Sequence, residues 1–271
     1  MNISIFNTRG GCGIVRGNQV AEALGARLNP KSGYEDDVCI YVKVKPRTIP
    51  KHSYYDFVDG AYNIDWIRQH PEMGLIAISP LSQEYLSNEL GRTDVVCIPH
   101  HHCNYERYVR LERPVKTVGI IGSKNSFQYP VEKLQKELSD IGLDLLYEED
   151  FWNTYAKNDN PRKAVCDFYK KIDIQVVWRP KPWSPRFDVY RNPLKIENAS
   201  SFGIPTVAYP EPSYVREWDR EFAHAESIPQ LISLIRMLKE YPEVYKNMSK
   251  RALGKAELYH IDTIKKLYLA L

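Results

Sequence analysis

The stretch "NPLKIENASSFGIPTVAYPE", residues 192–211, decides the architecture. Asn192 followed by Pro193 is a helix start: a side-chain cap, then a first helical position at which no backbone donor is lost. The stretch predicts a helix over residues 193–202, a sharp turn at Gly203, Ile204 and Pro205, and a short strand over residues 206–208. The N–H groups and dipole at the start of such a helix favour an anion such as a diphosphate. Lys195, one turn in, adds a full positive charge, and Asn198, one turn further, can hydrogen-bond a hydroxyl or phosphate oxygen. The same spacing also suits an ordinary helix-turn-strand unit, so this stretch alone does not assign a function.

The chain alternates in both directions from there. At the start, "NISIFNTRGGCGIVRGNQVAEAL" reads as a strand over residues 3–7, glycines at Gly10, Gly11 and Gly13, and a helical pattern through Val20, Ala23 and Leu24. Short β-rich runs follow at residues 38–42, 54–58, 75–79 and 95–98, with helical segments at 64–69 and 81–90 between them. The charged stretch "YERYVRLERP", residues 105–114, marks a domain boundary. The alternation then restarts with a strand at 117–121 and an amphipathic helix carrying Val131, Leu134, Leu138 and Ile141. Beyond it lie a strand at 143–146, a helix around 164–169 and a strand at 172–177. Ser227 caps a helix carrying Leu231, Leu234, Ile235 and Leu238, and a last helix carries Ile261, Ile264, Tyr268 and Leu271. Strands alternating with helices argue for parallel α/β sheets, whose ligands sit beyond the carboxyl ends of the strands.

A chain of 271 residues has room for one large domain or two small ones. Its net charge of +3 permits an anionic ligand without demanding nucleic acid. The five cysteines are scattered and lack zinc or disulfide-framework spacing, so they read as reduced thiols. No run approaches the ~18 consecutive apolar residues of a membrane span, and the first residues enter a strand directly, so no integral membrane segment and a cytoplasmic location are expected.

"LKIENASSFGIPTVAY" resembles the donor-site helix and following strand of the GT-B glycosyltransferases, group 1-like, in a compact form. Weaker likenesses are the N-terminal glycine loop, "VVCIPHH" at residues 95–101, "TVGIIGS" at residues 117–123, and the terminal helix. The resemblance implies an α/β chain of two Rossmann-like domains facing each other across a cleft. The expected parts are an acceptor domain at residues 1–110, a nucleotide-sugar donor domain at 111–255, and a helix at 256–271 packing back on the first domain. It further implies hexosyl transfer from a nucleotide diphosphate sugar, as co-substrate, to a hydroxyl acceptor, with no metal and no cofactor. The acceptor stays open among a saccharide, a lipid-linked glycan, a protein and a modified DNA base. A sugar-nucleotide epimerase and a non-catalytic nucleotide- or sugar-binding module stand as alternatives, because one fold hosts many activities.

One departure bears on mechanism. Many retaining members carry two glutamates separated by seven residues, the second five positions before the glycine of G-x-P. Asn198 occupies that position here, Glu197 lies one place earlier, and Tyr190 stands eight before Asn198. Stereochemistry is therefore not inherited from the motif.

The candidate donor-binding residues are Lys124, Arg179, Lys181, Asn192, Lys195, Glu197 and Asn198. Lys124 follows the first strand of the second domain. Arg179 and Lys181 belong to "VVWRPKPWSPRF", residues 176–187, where Trp178 and Trp183 offer flat faces for a base or sugar; a stiff surface loop is the alternative. Arginine can grip phosphate with two parallel bonds, whereas lysine acts as a point charge. Arg9, Gly10, Gly11 and His100 are expected to line the cleft from the first domain. Gly10, Gly11 and Gly13 lack G-x-G-x-x-G spacing and no Walker lysine follows, which removes the main support for hydride transfer or ATP hydrolysis. The run His100, His101, His102 is not read as a metal site, since consecutive side chains rarely converge on one ion; the second and third are read as solvated or packing. Asp59, after the strand at 54–58, is the candidate base for the acceptor hydroxyl, with Asp65 as a second candidate and a turn or cap role as the alternative.

Overall fold

The computed structural model describes residues 2–8, 10–58, 63–122, 126–149, 160–181 and 188–271. The chain divides into two compact units, the first formed by Met1–His101, Trp183–Asn192 and Ile261–Leu271 and the second by His102–Pro182 and Pro193–His260. From sequence the first domain is expected to run to residue 110, whereas residues 102–110 fold with the second unit. There Arg110 Nε pairs with Asp173 Oδ1 at 2.9 Å and Asn104 Nδ2 donates to the Ser201 carbonyl at 2.8 Å.

Unit 1 is built on six parallel strands, β1 (Ile3–Asn7), β2 (Arg27–Leu28), β3 (Val38–Val42), β4 (Ser53–Phe57), β5 (Gly74–Ala77) and β6 (Val95–Cys97), in the order β2-β1-β3-β4-β5-β6. Strand β3, "VCIYV", is buried at every position, as expected of a central parallel strand covered on both faces. Helices α1 (Val20–Leu24), α2 (Ile64–Arg68) and α3 (Pro80–Leu90) connect the strands. Ser79 and Ser82 make a reciprocal capping box at the start of α3. A π-helical turn, Gly13–Gln19, precedes α1.

Unit 2 has five parallel strands, β7 (Thr117–Ile121), β8 (Asp144–Glu148), β9 (Ile174–Val177), β10 (Thr206–Ala208) and β11 (Ala223–His224), in the order β11-β10-β9-β7-β8. Its helices among the described residues are α4 (Val131–Ser139), α5 (Pro161–Tyr169), α6 (Leu194–Ser201), α7 (Pro212–Trp218), α8 (Ile228–Glu240) and α9 (Pro242–Ala256). Helix α9 backs α6 so closely that a Cβ on Gly203, at φ +70, would meet Ser249 Oγ at 2.8 Å and Leu253 Cδ1 at 3.0 Å. The last helix, α10 (Ile261–Leu269), belongs to unit 1, where Ile264 and Tyr268 join the core of Ile5, Val20 and Ile40.

No cysteine is in a disulfide. Among the described residues no helix is long and apolar enough to cross a membrane.

Candidate functional site

In unit 2 the strand order reverses between β7 and β9: the chain runs outward to β8, then returns to add β9, β10 and β11 on the other side. Ligands of open parallel sheets bind beyond the carboxyl ends of the strands that flank such a reversal. Gly122 follows β7 directly, and Trp178 and Arg179 follow β9. Gly122 has φ +152, a backbone that side-chain-bearing residues rarely adopt; a Cβ there would overlap Ser126 Oγ and lie 3.3 Å from Lys195 Cε. Gly122 and the first turn of α6 therefore meet, with the end of the lysine stem beside the glycine.

Helix α6 begins one residue later than expected from the sequence. Glu197 N–H donates to the Pro193 carbonyl at 3.0 Å, so Pro193, at φ −81 and ψ 16, holds the cap position and Asn192 precedes it; among the described residues no side chain caps this end. The ring of proline supplies a suitable φ and leaves no N–H to satisfy, which is why the cap position accepts it.

Arg179 is committed to a carboxylate. Its Nε and Nη2 donate to Glu211 Oε1 and Oε2 at 2.7 and 2.8 Å, and Nη2 also donates to Tyr214 Oη at 2.7 Å. Burial works against its charge, and Tyr214 and Glu211 more than offset that, holding the guanidinium above its ordinary value. Lys181 is exposed, and its backbone N–H donates to Gln128 Oε1 at 2.8 Å. Trp178, read as a flat face for a ligand ring, is instead part of the unit 2 core and stands edge-on to Tyr209.

Glu197 is fully buried. Asn198 accepts the Cys103 N–H on its Oδ1 at 2.7 Å, and Asn104 bonds the Ser201 carbonyl, so α6 is stitched to the segment that follows the histidine run. Asp65 is 80% exposed and pairs with Arg68 at 2.6 Å on the same helix, an arrangement of a surface turn. Arg9, Asp59, Lys124, Trp183 and Arg186 lie outside the described residues.

Unit 1 reverses between β1 and β3. Gly10 and Gly11 follow β1, and the Ile14 N–H donates to the Gly10 carbonyl at 2.9 Å. Gly13 packs against the Thr8 carbonyl with no room for a Cβ. One turn on, Arg16 is a residue that sequence reasoning missed. Its side chain is 1% exposed, its Nε meets Asp56 Oδ2 at 2.6 Å, and its Nη1 donates to the carbonyls of Ile98 and Pro99 at 2.9 and 3.0 Å. The legible signal was a pair of opposite charges, Arg16 directly after the apolar "GIV" and Asp56 inside the strand "SYYDF".

His100 follows those two carbonyls. It is buried, and neither ring nitrogen has a hydrogen-bond partner among the described residues. Burial first, then the charges of Arg16 and His101, hold its imidazole well below the ordinary value, so it is neutral. His101 and His102 are packed: His101 Nε2 lies 3.0 Å from Gln19 Oε1, and His102 Nδ1 accepts the Asn104 N–H at 3.2 Å. Burial, with His260 nearby, takes His102 down to about 3. Among the described residues no group of three or more His, Cys, Asp and Glu side chains is placed to hold a metal ion.

No protein-family model matches the sequence, and no curated protein matches it. Solved structures do. A glycosyltransferase from Rickettsia africae superposes with a TM-score of 0.63 at 9% identity, covering 99% of this chain and 97% of that one. Anabaena HepE, in complex with UDP and glucose, superposes with a TM-score of 0.61 at 11% identity, covering 100% of this chain and 98% of that one. TarM gives 0.57 at 13% identity, and the match covers 87% of this chain but 54% of TarM, about half its length. The chain has the GT-B fold.

Within that GT-B fold the departure at the paired-glutamate motif takes a physical form. Asn198 is a strut to the Cys103 backbone, and Tyr190 is buried in the unit 1 core with its ring edge-on to Tyr85, 5.8 Å between centroids. Neither position carries a carboxylate.

Proposed function

We propose that this GT-B chain transfers a sugar from a nucleotide diphosphate sugar to a hydroxyl acceptor, with no metal and no cofactor. The observation that carries the reading is the meeting of Gly122 and Lys195 at the reversal between β7 and β9. A diphosphate needs close backbone approach and positive charge. Gly122 gives the first, and Lys195 with the dipole of α6 gives the second. As the bond from the anomeric carbon to the diphosphate breaks, its electrons pass to the phosphate oxygen, and fixed positive charge there stabilises the transition state more than the ground state.

Lys124, Lys181, Asn192 and Glu197 complete the proposed donor site. Arg179, balanced by Glu211, shapes its wall more than it supplies net charge, and Asn198 holds α6 in place. Unit 1 is proposed to take the acceptor, with Arg9, Gly10 and Gly11 leaving room and the neutral His100 offering one donor and one acceptor to a hydroxyl. Asp59 takes the proton of that hydroxyl as its oxygen attacks the anomeric carbon.

UDP is the first probe, since HepE is solved in complex with it. The expected result is a larger rise in melting temperature with UDP than with UMP, unchanged by chelator, since a ligand of the native state raises its stability. Equal shifts for the two nucleotides, or a shift that manganese restores after chelation, would overturn the donor site as described. Release of UDP from a UDP-sugar only when an acceptor is present separates transfer from epimerisation and from binding alone.

A further inference from the structure

Arg16 does nothing in the chemistry proposed above, yet it is among the most deeply buried charges of the chain. It lies in a π-helical turn, a form that is rare and often retained at functional sites. Its fork is divided three ways: Asp56 of β4 through Nε, and the carbonyls of Ile98 and Pro99 through Nη1. The guanidinium carbon also stands 5.7 Å from the centre of the Tyr268 ring of α10. A charge taken out of water this completely is costly, and well-packed apolar residues often serve stability as well or better. What an apolar pair cannot do is hold two successive carbonyl groups in a fixed direction.

We propose that Arg16 is a positioning residue for acceptor binding: anchored by Asp56, it clamps the Ile98 and Pro99 carbonyls and so fixes the direction in which His100 presents its ring. The inference rests on the reading that His100 meets the acceptor. The clamp ends at the residue before His100, and His100 is the member of the histidine run whose ring nitrogens have no protein partner among the described residues. The groups facing this region are Arg16 and Gln19 of the π-helical turn, Asp56 of β4, Cys97 at the end of β6, His101 beside it and Tyr268 of α10. Burial keeps Tyr268 protonated, so Asp56 is the counter-charge of Arg16, while burial first, and then the charges of Arg16 and His101, keep the ring of His100 neutral.

Two variants test this. Arg16→Lys keeps the charge beside Asp56 but loses the fork that spans both carbonyls. The double variant Arg16→Met with Asp56→Leu removes the ion pair as a unit, the kind of replacement buried pairs tolerate. For each, melting temperature and UDP affinity report on the fold and on unit 2, while kcat, acceptor KM and the Cε1–H NMR resonance of His100, identified through His100→Gln, report on the clamp. The expected result is UDP affinity within twofold of wild type, transfer reduced at least tenfold with a raised acceptor KM, and a displaced His100 resonance. A folded variant with wild-type kcat and KM and an unmoved His100 resonance would overturn the proposal. Should the wild type bind UDP but transfer nothing, the function above fails, yet the NMR comparison still decides the clamp: an unmoved resonance in Arg16→Lys rejects it and a displaced one supports it.

Discussion

Arg179 and Glu211 form an ion pair held by two parallel bonds, 2.7 and 2.8 Å long, which ties the chain after β9 to the cap of α7. The carboxylate is 1% exposed and the guanidinium side chain 17%. Pairs of this geometry are the strong form of carboxylate recognition. They also show why a basic residue at the end of a strand is not automatically a phosphate ligand.

Glu211→Gln should therefore destabilise unit 2, by about 3 kcal/mol, because removing one partner leaves the other desolvated and uncompensated. Urea unfolding followed by tryptophan fluorescence measures this. A cost under about 1 kcal/mol would mean that water replaces the carboxylate.

A pH-dependent term comes from Glu217 on α7. Burial pushes its carboxyl up to about 7, although Tyr259 donates to its Oε2 at 3.3 Å and Lys255 lies close. An unfolded glutamate titrates near 4.3, so the native state holds the proton more tightly. The resulting stability is fully present below about 4.3 and is lost as pH rises through about 7. Across that window wild type should lose about 3 kcal/mol that Glu217→Gln keeps. Parallel stability curves for the two proteins between pH 4.5 and pH 8, set as assay limits at about those values, would remove Glu217 as the source.

Strands β3, β7 and β10 were legible because they are buried on both faces and fall on the largely apolar runs that mark them in the sequence. The two-residue edge strands β2 and β11 were not, since they carry no fully buried position and no periodicity to detect. Helix α9 was missed although Tyr245, Met248, Ala252 and Ala256 are spaced for one buried face; lysines and arginines between them masked it. At the candidate site, Gly122 and Lys195 were read separately, 73 positions apart by subtraction of their numbers, and only the sheet topology brings them together. The roles of Arg16 and Asn198 depend on which backbone groups lie opposite them, and such information is not carried by residue type.

Gly122→Ala tests the shape of the donor loop. The added methyl meets a φ of +152 that disfavours it, and it would overlap Ser126 and crowd the lysine stem. The expected outcome is a stability loss of about 1–3 kcal/mol, the cost of a strained backbone position, together with weaker UDP binding. Calorimetric titration on the folded variant checks it, and wild-type affinity would show that UDP does not approach this backbone.

Lys195→Ala is the sharpest test of the proposed donor site. The ammonium stands on the first turn of α6, where the helix dipole disfavours a cation, so its placement makes physical sense with an anion nearby. The end of its stem also lies beside Gly122, which gives a purely structural reason for a long side chain at this position. The two reasons separate in measurement. If the charge meets the diphosphate, alanine weakens UDP binding by about 1.5–3 kcal/mol, roughly 10- to 150-fold, while methionine, which keeps most of the stem, weakens it as much. If the stem alone matters, methionine restores wild-type affinity and the melting temperature tracks it. Salt supplies a further check, since a partly buried charge contact to phosphate persists where an exposed one is screened. Equal UDP affinity for wild type, Lys195→Ala and Lys195→Met would remove the lysine from the donor site and leave Gly122 as a packing residue only.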